Sequence, residues 1–120
     1  MEKRLISIGS VFMAIGVALG AFGAHALSAI LVENDRQDTW ETAVLYHFVH
    51  SIGILLTGLL ASQKSVSTQK RASQFFIAGI LFFCVPLYVL SLTQMNWLGA
   101  IAPIGGTSSI VGWLWLAFRK

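Results

Sequence analysis

The side chains best suited to chemistry in this sequence are its three histidines, His25, His47 and His50. Imidazole binds metals and exchanges protons near neutral pH. Three converging imidazoles can hold catalytic zinc, and a pair on separate helices can ligate haem iron. His47 and His50 are three residues apart and would share one face of a helix. The alternatives for them are a metal or haem site, a proton or solute path, and structural hydrogen bonding between helices.

Other signals of catalysis are missing from the sequence. It contains no serine–histidine–aspartate constellation, no phosphate-binding loop and no carboxylate pair inside an apolar stretch. The single cysteine, Cys84, has no partner for a disulfide and is expected to be a small packing residue. We therefore predict a protein that is not an enzyme and has no cofactor or metal. The candidate polar cluster comprises His25, Tyr46, His47, His50, Tyr88 and Thr93.

The composition indicates the environment of this cluster. Of 120 residues, 56% are hydrophobic and 11% are charged, against about 45–50% and about 25% in soluble domains. Mean hydropathy is +0.75. A soluble domain of this length cannot bury so much apolar surface, because small domains have little interior. A soluble globular domain, a disordered chain and a disulfide scaffold are therefore excluded, and a membrane protein is indicated.

Four apolar stretches are long enough for helices of about 20 residues, which cross a bilayer. They cover about residues 5–27, 43–62, 75–92 and 97–118. The short alternating segments typical of membrane barrels do not occur. The sequence thus predicts a single all-α domain, a four-helix transmembrane bundle. Asp38 and Glu41 have the spacing of a capping box at the start of the second helix.

The basic residues predict the orientation. Seven of eight flank the spans on one side, namely Lys3, Arg4, Lys64, Lys70, Arg71, Arg119 and Lys120, and only Arg36 lies on the other. Lysine and arginine favour the cytoplasmic side, so both termini are expected in the cytoplasm, with the protein in the cell (inner) membrane.

The first apolar run resembles a secretory signal but is too long to be a typical one. The cations do not form a nucleic-acid surface, so the expected partners are lipids, a second copy or a larger membrane complex.

Small residues predict where the helices approach one another. In membranes, glycines at four-residue spacing allow close helix contact. We expect these glycines to pack helices within one bundle rather than to join two copies: Gly16, Gly20, Gly23, Gly53, Gly105, Gly106 and Gly112. Pro86 is expected to kink the third span by removing a backbone hydrogen bond, and Pro103 to weaken the fourth.

Burial of polar atoms predicts the geometry of the histidines. An imidazole that faces lipid leaves its nitrogens unpaired at a cost of several kcal/mol. His25 and His50 are therefore expected to face each other across the first two spans, close to Tyr88 or Thr93. His47 is expected to reach toward the headgroups or toward the acidic Glu41.

Four motifs in order resemble one family over essentially the whole chain. They are GAFGAHAL at residues 20–27, the segment from Trp40 through Tyr46 to His50, the segment 87–93, and APIGG at residues 102–106 leading to Gly112-Trp113. These residues resemble the small four-span bacterial membrane proteins of domain of unknown function 423. The resemblance implies a multi-pass protein of the bacterial cell membrane, without an established activity, substrate or cofactor. His47 stands where that family often has glutamine, and the stretch 83–86 replaces small residues.

Two classes of function follow. The first is a non-enzymatic accessory or structural membrane component, which the lack of intramembrane carboxylates favours. The second is a small transporter or permeation element for protons or a small solute, which would use the histidine cluster.

Overall fold

The computed structural model describes residues 2–60 and 64–119, and every regular element in those ranges is helical. The α-helices are α1 (Glu2–Ala24), α2 (Ser28–Glu33), α3 (Gln37–Leu59), α4 (Val66–Gly79), α5 (Val85–Thr93) and α6 (Ala102–Phe118). A π-helical turn, Ile80–Cys84, joins α4 to α5 without a break, and a 3₁₀ turn, Asn96–Ala100, leads into α6.

Four helical segments are long and apolar enough to cross a membrane: Lys3–Ala24, Gln37–Leu59, Val66–Thr93 and Asn96–Phe118. The predicted all-α, four-helix membrane architecture is confirmed. The third segment starts at Val66 rather than near residue 75, because the Ser65 hydroxyl caps the helix by accepting a hydrogen bond from the Thr68 amide at 3.1 Å. The polar residues that follow Ser65 are therefore helical.

The start of α3 differs from the predicted capping box. The helix begins at Gln37, and Arg36 occupies the cap position without a side-chain cap. Asp35 adopts a positive φ of 55° and turns the chain just before the helix. Asp38 consequently lies inside the first turn, so its predicted role as the capping residue is wrong; its carboxylate still complements the helix dipole there.

The bundle is built around α3. Helix α1 packs mainly along α3, α3 also contacts α4, the π turn and α5, and α6 packs on α4 and the π turn. The buried core between these helices contains Leu5, Leu31, Trp40, Ala43, Ile54, Ala72, Phe76, Ile80, Cys84 and Tyr88. Since α3 lies between α1 and the third span, its side chains can bond to both.

The two prolines are accommodated without interrupting a span. Pro86 follows the π turn, in which the Val85 amide donates to the Ile80 carbonyl five residues back. This wider turn absorbs the hydrogen bond that proline cannot make, as π turns within helices do. Pro103 lies in the first turn of α6, where a missing amide costs nothing. It therefore begins α6, and the part of the fourth span ahead of it is the 3₁₀ turn Asn96–Ala100 rather than α-helix.

The predicted packing glycines lie at contacts within this chain. Gly16, Gly20 and Gly23 face side chains of α3, and Gly53 and Gly112 face the Phe76 ring. Where α6 crosses the π turn, the close contact is to backbone rather than to a side chain: a β-carbon at Gly105 would overlap the backbone of Phe82 and Phe83. The neighbouring Gly106 has more room, since its β-carbon would meet the Phe83 ring at 3.7 Å.

Candidate functional site

His47 is buried in the middle of α3 and holds three spans together. Its Nε2 lies 2.7 Å from the carbonyl oxygen of Phe12 in α1, and its Nδ1 lies 2.9 Å from the hydroxyl of Tyr88 in α5. A carbonyl oxygen only accepts, so Nε2 must carry the proton. In the neutral ring Nδ1 then accepts the hydrogen bond that the Tyr88 hydroxyl donates. Both polar atoms of the ring are therefore in use.

His50, one turn further along α3, is the opposite neutral tautomer. Its Nδ1 lies 2.7 Å from the Tyr46 carbonyl oxygen and must donate to it. The indole Nε1 of Trp113 in α6 lies 3.2 Å from Nε2. An indole N–H can only donate, so Nε2 is the acceptor and the ring is neutral. Together, His47 and His50 link all four membrane-spanning segments.

This arrangement bears directly on metal binding. A histidine binds a metal through a ring lone pair. The lone pairs of His47 and His50 point at the Tyr88 hydroxyl and the Trp113 indole N–H. In residues 2–60 and 64–119, no group of three histidine, cysteine, aspartate or glutamate side chains is placed to hold a metal ion. The geometry thus fits structural hydrogen bonding better than a metal or haem site.

His25 is not part of this cluster. Helix α1 ends at Ala24, and His25 lies exposed in the following turn, where its carbonyl accepts a hydrogen bond from the Ser28 hydroxyl. Gly23 faces Trp40 near the start of α3, so His25 is level with that start, whereas His50 lies in the second half of α3. The predicted pairing of His25 with His50 is therefore wrong. Because His25 lies beyond the last residue of α1 and is exposed, its imidazole is not enclosed by the bundle.

The exposure of three residues of the predicted cluster tests where each was expected to lie. His47 is 3% exposed and faces inward, contrary to the expected orientation toward the headgroups. Thr93 is exposed and donates to the Val89 carbonyl of its own helix. Tyr46 is 43% exposed, and its ring lies nearly parallel to that of His50, with centroids 6.2 Å apart.

Two tryptophans belong to the site and were missed as such. Trp113 donates to His50 and packs on Phe76 at a centroid distance of 4.5 Å. Trp40 is 3% exposed, donates to the Leu19 carbonyl at 2.9 Å, and its ring centroid lies 4.8 Å from that of Tyr88. The available signal was chemical: an indole N–H inside a membrane requires an acceptor.

A second polar network closes one end of the bundle. Arg36 donates to the side-chain oxygens of Gln94 at 2.7 Å and Asn96 at 3.2 Å. Gln94 donates to the Asn34 carbonyl, and the Asn34 side chain donates to the Ser91 carbonyl. The loop before α3 is thereby tied to the turn after α5. These polar groups satisfy one another, so this network also serves to join helices.

Between α3 and α6 lies a mostly apolar cleft of about 310 Å³. Its walls include the rings of Tyr46, His50, Phe83 and Trp113. Since both nitrogens of His50 and the Trp113 indole N–H are already engaged, these groups are not free to bind a polar solute there.

Comparison with known proteins places these features in a family context. The model of the DUF423 family, described as protein of unknown function, matches residues 19–106. The chain is similar to the UPF0382 membrane protein YwdK of Bacillus subtilis (strain 168), with 38% identity over 113 residues, 93% of this chain and 91% of YwdK. It is also similar to the UPF0382 membrane protein SH2409 of Staphylococcus haemolyticus (strain JCSC1435), with 39% identity over 114 residues, 95% of this chain and 92% of that protein. No solved structure matches the chain.

Proposed function

The chain belongs to the DUF423 family of membrane proteins of unknown function, and we propose that it is a non-enzymatic accessory or structural component of the cell membrane. One observation carries the proposal. All four ring nitrogens of His47 and His50 are engaged in hydrogen bonds: three join α3 to other helices, and the fourth, from His50 Nδ1 to the Tyr46 carbonyl, lies within α3. Intramembrane ionisable groups usually mark ion or substrate paths, but here they hold the bundle together.

The distribution of charge supports the same proposal. Residues 5–32, 42–63 and 72–118 contain no Asp, Glu, Lys or Arg. Proton-coupled carriers use such carboxylates as relays. A carrier built on this chain would have to release His47 or His50 from its partners during each cycle, and would leave a buried donor or acceptor unpaired.

The asymmetry of basic residues supports an orientation with both termini in the cytoplasm. Reporter fusions after Lys120 and within residues 33–38 test it, with a cytoplasmic reporter active at the first position and an external reporter active at the second. The reverse pattern would overturn the orientation and leave the accessory role untouched.

Reconstitution separates the accessory role from permeation. Purified protein in liposomes that contain a pH-sensitive dye should pass no more protons than protein-free vesicles, with or without a proton gradient. Flux above that level that is lost in His50→Gln would refute the accessory role and support the transporter alternative. Thr93→Val is the matched control, because the hydroxyl of Thr93 donates to the Val89 carbonyl and accepts from the Met95 amide, both local to the end of α5.

An accessory protein must also associate with a partner. Chemical cross-linking in native membranes should trap the chain in a discrete species of constant stoichiometry, with a second copy or with another membrane protein. A chain that stays monomeric at every cross-linker concentration would contradict the proposal.

A further inference from the structure

The first turns of α4 carry an exposed basic cleft. It has a volume of about 430 Å³ and is lined by Val66, Ser67, Lys70, Arg71 and Gln74. The four polar residues are spaced at i, i+3, i+4 and i+7, so they share one face of the helix. No acidic side chain of the described residues lines this cleft. It therefore presents two positive charges, a hydroxyl and an amide on one surface.

The length of the third span places this cleft at the membrane surface. Val66–Thr93 contains 28 residues, which at 1.5 Å per residue extend about 42 Å. The hydrocarbon core is about 30 Å thick. The excess of about 12 Å, or roughly eight residues, falls at the polar start of the helix, since the apolar run begins at Phe75. Lys70 and Arg71 thus lie at the level of the lipid phosphates.

The neighbouring cations are engaged elsewhere. Lys64 donates to the Arg119 carbonyl at 2.9 Å, and the Arg119 guanidinium lies over the Trp115 ring at 4.5 Å from its centroid. Lys70 and Arg71 are exposed. Guanidinium and ammonium groups both bind phosphate oxygens strongly.

We propose that this basic cleft binds the phosphate headgroup of an anionic phospholipid. Lys70 and Arg71 would supply the charge, and Ser67 and Gln74 would supply further donors. The exposed apolar side chains of Leu81 and Phe82, further along the same span, favour a lipid over a soluble phosphate, because the acyl chains below a headgroup bound at Lys70 and Arg71 can pack on them. The inference does not depend on the accessory role.

The test measures phosphatidylglycerol binding to the detergent-purified full chain by native mass spectrometry. The double variant Lys70→Gln/Arg71→Gln is compared with Lys3→Gln/Arg4→Gln, which removes the same charge from α1. We expect about thirtyfold weaker binding in the first variant, since each cation at an anionic surface contributes about 1 kcal/mol, and less than about threefold weaker binding in the second. Circular dichroism checks that both variants remain folded.

Three results would overturn the proposal. Equal weakening in both variants indicates general attraction of anionic lipid without a site, and unchanged binding in both indicates that the cleft is not used. The proposal expects that millimolar inorganic phosphate displaces phosphatidylglycerol neither from the unchanged protein nor from the Lys3→Gln/Arg4→Gln control. Displacement would indicate a site for a soluble anion. Preferential loss in the Lys70/Arg71 variant without such displacement supports the lipid site.

Discussion

A pair of neighbouring glycines gives the sharpest test of how α6 packs on the third span. Gly105→Ala places a methyl group against the backbone of Phe82 and Phe83 in the π turn. Neither backbone can move aside as a flexible side chain would, so the two helices must separate. Forcing an extra carbon into a packed contact costs about 1–3 kcal/mol, and the backbone contact favours the upper part of that range.

Gly106→Ala is the matched control. It makes the same change one residue later, where the new methyl group would meet the Phe83 ring at 3.7 Å, an ordinary van der Waals contact. Alanine is also the better helix former, by up to about 1 kcal/mol. We expect the free energy of unfolding of Gly106→Ala to equal or slightly exceed that of the unchanged protein.

Unfolding by sodium dodecyl sulfate in mixed micelles, followed by circular dichroism, measures both variants. The prediction is a loss of about 2–3 kcal/mol for Gly105→Ala and a change within about 0.5 kcal/mol, or a small gain, for Gly106→Ala. Equal stability of the two variants would refute the packing of α6 against the π turn described above.

The remaining predictions concern the aromatic and imidazole hydrogen bonds, and the same unfolding assay measures them. Trp113→Phe leaves the His50 Nε2 lone pair without a donor and should cost about 1–3 kcal/mol; an unchanged stability would contradict the assigned tautomer. Tyr88→Phe removes the donor to His47 Nδ1 and should cost about 1–3 kcal/mol for the same reason. His25→Ala should change stability by less than about 0.5 kcal/mol, because the side chain is exposed outside the helices, and a large loss would show that His25 has a buried partner.

The sequence was a good guide to features that depend on composition and length. Apolar runs of sufficient length predicted four spans, and four motifs predicted the family, because both depend on local residue content. Helix boundaries were less predictable. The Ser65 cap moved the start of the third span into a polar stretch, and the positive φ at Asp35 fixed the start of α3 ahead of Asp38.

The placement of the histidines could not be derived from helix periodicity alone. His47 and His50 are both buried because each finds a partner on a different neighbouring helix. The end of α1 at Ala24 decided that His25 lies outside the bundle. Such outcomes depend on which helices become neighbours and on the register between them, and small residues indicate this only in part. Trp113 could have been found by asking which acceptor its indole N–H would reach.

The buried histidines are structural hydrogen-bonding groups with opposite neutral tautomers. Nitrogen-15 NMR of histidine-labelled protein in lipid bilayers tests it directly, with assignment by His47→Gln and His50→Gln. We expect a neutral ring protonated at Nε2 for His47 and a neutral ring protonated at Nδ1 for His50. The same tautomer at both positions, an imidazolium signal near neutral pH, or a shift of either signal on addition of Zn²⁺ would contradict it.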